Sequence, residues 1–526
     1  MTSVFLTQEL LDAGRIPHGS QVRWIGLVRD VGQPQLIQNH DDELKYIETT
    51  PHRCELVPGR AQWLRDEILQ PATATSTSPA QEHKPTSSVL GKKKRSEMDD
   101  TDLDHDDQRP RVSTEKISAP SITLKRPAFQ VIVRAYDGIQ YKVNHAYEFV
   151  GELDLTPQAI DDYEMEWQGE DAETSKQKAR DLEFIPTLHA KVANEISYGL
   201  EVLRRYNVPE LLEGTNKNKE RIEWCLHQWK SHGYDFSVGE MRGQLVAYFA
   251  SFLDGDTVAA EYLLLCLLSR VYHRSGDLTP FGHLSVNVIF PGKSPEEVNS
   301  LFSALYDAIA NLVPTASKLN LSIESLCGSV YYPQKDYTID YLHSGLLQMP
   351  DGTVIMVNES EMSAGQLDDK GTQNIRALVR LVESQTLMYD FQFYQKDFHQ
   401  DIKVISISKA KSILPMAVNV YHSPSSSRVS TSAIPEALIQ CLRLYLAVFR
   451  SLDSELGNEG AHNAEVWYVE KRKEDNTIGP DDLSRLVRVA RLEALGLGFG
   501  TVDSNVWHRT LELDQACTQR EKLHTQ

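Results

Sequence analysis

From Leu284 to Tyr421 the chain alternates strand-type and helix-type patterns, which restricts it to folds in which helices cover a sheet containing parallel strands. Leu284, Val286, Val288 and Phe290 alternate with Ser285, Asn287 and Ile289 and read as a strand. Ser294-Pro295-Glu296-Glu297 follows as a helix start, with a hydroxyl cap, a proline at the first helical position and acids facing the helix dipole. The pattern then predicts a helix over 295–312, a strand over 319–325 and a hairpin over 344–358 turning at Pro350-Asp351-Gly352. A helix over 373–383 and strands over 387–394, 403–408 and 418–421 complete an α/β unit with a partly parallel sheet.

Helices are also expected on both sides of this unit. Apolar residues recur at helical spacing over 242–272, interrupted at Asp254-Gly255-Asp256-Thr257, so two helices are predicted there. Residues 434–452, 481–497 and 504–513 predict a helical C-terminus. Near the N-terminus, Val22–Val28, Phe129–Val133 and Tyr147–Leu153 read as strands of a small, β-rich, OB-like unit. A helix is expected at 61–69. The organisation read from the chain is a folded segment at 1–69, a low-complexity linker at 70–121, a β-rich segment at 122–160 and an acidic linker at 161–182. An α/β domain at 183–425 and a helical lid at 432–520 follow. The first linker has too few apolar residues to offset its ordering entropy.

Composition narrows the function. The formal net charge of −20 argues against non-specific nucleic-acid binding by the whole chain, which needs clustered Lys and Arg. Six cysteines without a CxxC pattern read as reduced thiols of an intracellular protein. The first residues lack the apolar core of a signal peptide, and the longest apolar run, 262–268, is far short of a membrane span. The chain is therefore expected to be cytosolic or nuclear. No HExxH or GxSxG occurs. The aromatic cluster Tyr389, Phe391, Phe393, Tyr394 and Phe398 reads as core around a hairpin at 387–406.

Two sites resemble parts of a nucleotide-binding centre. Gly292-Lys293-Ser294 lies between a strand and a helix, as in a phosphate-binding loop. That loop requires GxxxxGK[ST], so that backbone N–H groups wrap the phosphates, and only Gly292 is present. The strand ending at Asn358-Glu359 stands where such an ATPase carries Asp-Glu, the Asp for magnesium and the Glu for the attacking water. An amide at Asn358 carries no charge for a metal. Both sites therefore read as degenerate, with no cofactor expected. Lys92-Lys93-Lys94-Arg95 is a candidate nuclear import signal in the linker, followed by the acidic run 99–107.

The stretch SGLLQMPDGTVIMVNESEM (344–362) resembles the Walker B region of MCM helicase subunits, and residues 478–514 resemble the helical lid of their AAA+ modules. Val22–Val31, Arg53–Trp63, Lys142–Pro157 and Gly255–Tyr272 are similar, in order, to segments of the minichromosome maintenance (MCM) complex-binding protein family. The resemblance implies a degenerate AAA+-like domain with a lid, and a nuclear, non-catalytic protein that binds MCM helicase subunits. It also implies indirect association with chromatin, and no direct specific contact with nucleic acid or membrane. Roles in subunit assembly or stability, unloading after DNA replication and sister-chromatid cohesion come with the family. Ser408-Lys409 replaces the sensor Asn of the helicase subunits. No Ser-Arg-Phe-Asp element occurs near Leu414–Val420, and Ser427-Arg428 supplies the nearest Arg. The alternative is a divergent ATPase using Lys293 and Glu359. A third reading is a nucleic-acid module built on the strands at 129–153.

Overall fold

The computed structural model describes residues 3–38, 46–64, 129–136, 138–156, 185–206, 208, 217–276, 278–337, 341–425 and 434–525. The expected linkers, with Lys92–Arg95, lie outside these residues.

The N-terminal strands are β1 (Val4–Phe5), β2 (Gln21–Val31), β3 (Gln35–Gln38), β4 (Tyr46–Leu56), β5 (Gln130–Tyr136), β6 (Ala146–Asp154) and β7 (Thr187–Glu195), with a short helix α1 (Gln8–Asp12) after β1. Five of them close on themselves: β2 pairs with β4 and β6, β4 with β5, β5 with β7, and β7 with β6. The β5–β7 pair alone among these is parallel. Closure removes the sheet edges that a five-stranded ribbon would expose. The alternating residues Val22, Trp24, Val131, Val133, Phe149 and Leu188 point inward and are fully buried. The segments before and after residues 70–121 thus build one barrel. Thr187–Glu195, placed by sequence at the start of the α/β region, is its fifth strand. Only Thr187 and Leu188 of it are buried, and the apolar Val192 is exposed, so its pattern is weak.

The central sheet consists of β10 (Val286–Ile289), β11 (Ala316–Asn320), β14 (Val354–Asn358), β17 (Lys403–Ser408) and β18 (Val418–Tyr421), in the order β11-β14-β17-β10-β18. Every neighbouring pair is parallel, so the sheet is wholly and not partly parallel. Both faces are covered, as parallel strands require. Val286, Val288, Met356, Ile405 and Ile407 face a core shared with α4 (Val238–Ser251), α5 (Thr257–Leu268), α6 (Pro295–Ala310) and α9 (Glu436–Arg450). Ile355, Val357 and Val404 face a second core built with α8 (Asp369–Glu383). The α4–α5 break falls where the sequence placed it: Asp254 and Gly255 have positive φ, and the Asp256 side chain caps α5 by accepting from Ala259 N at 3.1 Å.

Four expectations are corrected. Residues 344–358 are not a hairpin. The Pro350–Thr353 turn forms, with Thr353 N donating to Pro350 O, but only β14 is a strand, and its partners β11 and β17 are parallel to it. The expected strand at 319–325 is β11 shifted towards the N-terminus. Ser322 stops it by capping α7 (Ile323–Gly328) in a Ser322/Ser325 capping box. The strand at 387–394 is shorter: β15 (Thr386–Asp390) pairs with β16 (Gln395–His399) in a side sheet ordered β13-β12-β15-β16. In that sheet β12 is Gln334–Asp336 and β13 is Tyr341–His343. Tyr389 is buried, but Phe393 and Tyr394 stand exposed at the hairpin tip, so the aromatic group is core only in part.

The C-terminal cap comprises α10 (Gly457–Glu474), α11 (Pro480–Gly496) and α12 (Ser504–Thr525). Ahead of the sheet lie α2 (Leu200–Arg205), α3 (Lys217–Ser231) and a two-stranded ribbon, β8 (His273–Arg274) with β9 (Pro280–Phe281). A buried ion network joins cap to base. Arg242 of α4 meets Glu261 of α5 (2.5 Å) and Glu493 of α11 (2.9 Å), and Arg509 of α12 reaches the same two carboxylates. Among the described residues no helix is long and apolar enough to cross a membrane.

Candidate functional site

The C-terminal ends of β10, β14 and β17 bring the sequence-predicted residues to one side of the sheet, where open α/β sheets place ligands. Gly292 follows β10 with φ +78°, the left-handed turn that glycine adopts without strain. Lys293 extends sideways, its Nζ 3.2 Å from Asp254 Oδ2 and above the Phe290 ring. Ser294 caps α6: its Oγ accepts from Glu297 N, and Glu297 accepts in return from Ser294 N at 2.8 Å. The loop from Phe290 to Pro295 is therefore a tight, capped helix entry. The hydroxyl that a phosphate-binding loop would offer to a metal is used to start the helix.

At the end of β14, Asn358 and Glu359 are buried. Asn358 Nδ2 donates to Asn299 Oδ1 of α6 (2.5 Å), and Asn358 Oδ1 accepts from Ser360 N (3.0 Å). Ser360 Oγ donates to the same Asn299 oxygen at 2.8 Å. Glu359 accepts from Ser406 Oγ (2.5 Å), from Ser412 Oγ and from Ile413 N (3.0 Å). Both carboxylate oxygens thus fasten the loop after β17. Beside them, Asn287 of β10 accepts from Ser408 Oγ (3.0 Å) and donates to Asn419 Oδ1 of β18 (3.1 Å). The strand ends are laced by neutral amides and hydroxyls around one carboxylate that is already occupied. Among the described residues no group of three or more His, Cys, Asp or Glu is arranged to hold a metal ion.

This geometry gives Glu359 a structural task with a measurable size. Glu359→Ala leaves Ser406 Oγ and Ile413 N without their acceptor inside the protein. Hydrogen bonds to charged groups contribute about 1.5–3 kcal/mol each, so a loss of roughly 2–3 kcal/mol is expected in urea unfolding. An unchanged midpoint would mean that the carboxylate is not needed for folding.

A second polar assembly, not singled out from the sequence, joins barrel and sheet through residues 341–351. Arg29 of β2 and Glu55 of β4 form a buried pair at 2.8 Å. Arg29 also donates to Gln348 O, and Gln348 Nε2 donates to Arg29 O (3.0 Å) and Tyr389 OH (2.6 Å). Tyr389 OH donates to Asn144 Oδ1 at 2.7 Å, between two barrel strands. Ser344 Oγ donates to Glu55, and His145 Nε2 stands 3.6 Å from Asp351. The stretch that reads as one arm of a hairpin is in fact the strut on which the barrel sits. The available signal was a run of polar side chains, Ser344, Gln348 and Asp351, interrupting apolar residues. The segment Arg53–Trp63 makes the other joint. Ala316 N donates to Gly59 O at 2.8 Å, Arg60 pairs with Glu201, and the Arg443 guanidinium lies 4.3 Å from the Trp63 ring centre. A Cβ on Gly59 would sit 2.2 Å from Ala316 O, so only glycine permits that approach.

The segments holding barrel and sheet together are thus among those that carry the family likeness. Residues 111–521 match the family described as "Mini-chromosome maintenance replisome factor". The chain belongs to that family. It is 29% identical to the mini-chromosome maintenance complex-binding protein of Gallus gallus, over 94% of this chain and 82% of that protein. It is 27% identical to the protein of the same name from Homo sapiens, over 96% and 84% of the two chains. The protein of that name from Arabidopsis thaliana is 30% identical over 74% of this chain and 63% of its own length. The bird and mammalian relatives align over more than nine-tenths of this chain.

Proposed function

We propose that this protein is a non-catalytic partner of the MCM helicase complex, working in the nucleus through contacts with MCM subunits. The observation that carries the reading is the likeness, along nearly the whole chain, to proteins named for binding that complex. Support comes from the strand ends. The groups that would bind nucleotide and metal in an active AAA+ module are turned to internal use: Lys293 towards Asp254, Ser294 into a helix cap, Asn358 onto Asn299 and Glu359 onto the loop after β17. The parallel sheet with a helix-capped loop after β10 supports descent from an AAA+-like domain, with α10–α12 as its lid. On this account Gly292, Lys293, Ser294, Asn358 and Glu359 are remnants of a nucleotide site.

A subunit shaped like its neighbours can meet their faces. Without bound nucleotide it adds no ATP-bridged contact that would lock a ring, which suits a protein that holds subunits during assembly or removes them from chromatin after replication. The same reading extends to sister-chromatid cohesion and assigns nuclear entry to Lys92–Arg95. Calorimetric titration of the full chain with Mg-ATP tests the non-catalytic part. No saturable binding in the micromolar range is expected, and Lys293→Ala is expected to shift the unfolding midpoint by less than about 0.5 kcal/mol, as exposed ion pairs do. Micromolar binding abolished by Lys293→Ala would instead favour the divergent ATPase.

A further inference from the structure

A cleft of about 700 Å³ opens where the end of α5, the β8–β9 ribbon, the residues after α9 and one face of α11 meet. Its floor is apolar: Leu268, Leu452 and Leu492 are buried there. Tyr272 and Phe281 stand at its mouth, each about two-fifths exposed or more. Three arginines line it, in a chain of net charge −20.

The arginines are not equivalent. Arg270 is spent on Asp453 (2.7 Å) and on Leu452 O. Arg491 donates to Ser454 O and lies 3.9 Å from the Tyr272 ring centre. Arg488 has neither a hydrogen-bond nor an ion-pair partner among the described residues, although burial and the neighbouring Arg485 disfavour its charge. Ser454, more than nine-tenths buried and with no hydrogen-bond partner for its Oγ, also lines the cleft. A buried hydroxyl without a partner and a half-buried guanidinium without a counter-ion are each costly when left alone. An anionic acceptor in the cleft that reached both would give each the partner it lacks. The other acid of the lining, Glu455, is exposed.

We propose that this cleft binds a segment of a partner protein that presents a carboxylate beside large apolar side chains. The carboxylate accepts from Arg488 and Ser454, and the apolar groups rest on Leu268, Leu452 and Leu492 between Tyr272 and Phe281. An apolar floor with a few convergent polar groups suits such a peptide and offers little to a nucleic-acid backbone, which needs many cations. The proposal is independent of which protein supplies the segment and of the MCM assignment.

Fluorescence anisotropy with the full chain tests it, using three labelled short peptides: Glu alternating with Leu and Phe, Lys in place of every Glu, and Glu alternating with Ser. The first peptide is expected to bind. Arg488→Glu is expected to weaken it by roughly tenfold or more, and Ser454→Ala by a few-fold, because charge-assisted bonds are lost. If Arg488→Glu does not fold, Arg488→Gln is expected to give a smaller loss in the same direction. Equal binding of the Lys peptide, equal binding of the Glu-Ser peptide, or binding unchanged by substitution at Arg488 would overturn the proposal.

Discussion

Replacing Arg242 with Met lowers stability by about 3–5 kcal/mol, the range seen when one partner of a buried ion pair is removed. Arg242 lies between two carboxylates, Glu261 and Glu493, on two different helices, and its own exposure is 2%. Without it Glu493 stays buried with only the half-exposed Arg509 as counter-ion. Burial already pushes the Glu493 carboxyl above its ordinary range, against the pull of Arg242 and Arg509. A carboxyl whose folded pKa is raised contributes stability that is full below the unfolded pKa and lost as pH rises through the folded one. Removing Arg242 raises it further. The deficit of Arg242→Met is therefore expected to be larger at pH 8 than at pH 5, as read from urea midpoints at the two values. A deficit independent of pH would mean that the loss is one of packing alone.

Lys403→Met is expected to act in the opposite direction and to stabilise the chain by about 2–4 kcal/mol at pH 7. Lys403 opens β17 with its side chain buried, and its Nζ has no hydrogen-bond partner. Burial, and secondarily Arg450, pull its pKa down to about 7, against Asp401, Cys266 and Asp351. With a folded pKa near 7 and an unfolded value of 10.5, the unfolded chain binds more protons between those values, so wild-type stability rises with pH across that window. The variant lacks this slope. The nearby acids keep partners without Lys403: Asp401 pairs with Arg450 at 2.9 Å, and Asp351 accepts from Asp401 N at 2.8 Å. Methionine fills a similar volume with no charge to bury. Thermal unfolding of both proteins from pH 6 to pH 10 reads the difference. A destabilised variant, or parallel pH curves, would show that the ammonium is compensated inside the sheet.

How much of this was readable beforehand depended on whether the deciding interaction was local. The start of α6 was legible because Ser294, Pro295 and Glu297 carry the whole cap within four residues. The α4–α5 break was legible because Asp254, Gly255 and Asp256 define it alone. The bounds of β17 and β18 followed from short runs rich in β-branched Val and Ile. The barrel was only half legible. Its strands alternate, but nothing local shows that β7 closes it after a long separation in sequence. The hairpin at 344–358 was misread because Pro350-Asp351-Gly352 signals a turn whatever precedes it, while Ser344 and Gln348 bond to Glu55 and Arg29, about three hundred residues away in the chain. At the strand ends the residue types at Asn358 and Gly292–Ser294 already argued against catalysis. That Glu359 is fastened to Ser406, Ser412 and Ile413 could be seen only in three dimensions.

On the function proposed above, this chain joins MCM subunits by shape rather than by nucleotide. That reading is tested most directly by mixing the purified full chain with recombinant MCM subunits and resolving the products by size-exclusion chromatography, with and without ATP. A hetero-complex that forms equally without ATP and equally with Lys293→Ala is expected. Failure to form any complex, or a complex that requires ATP and is lost in Lys293→Ala, would contradict it.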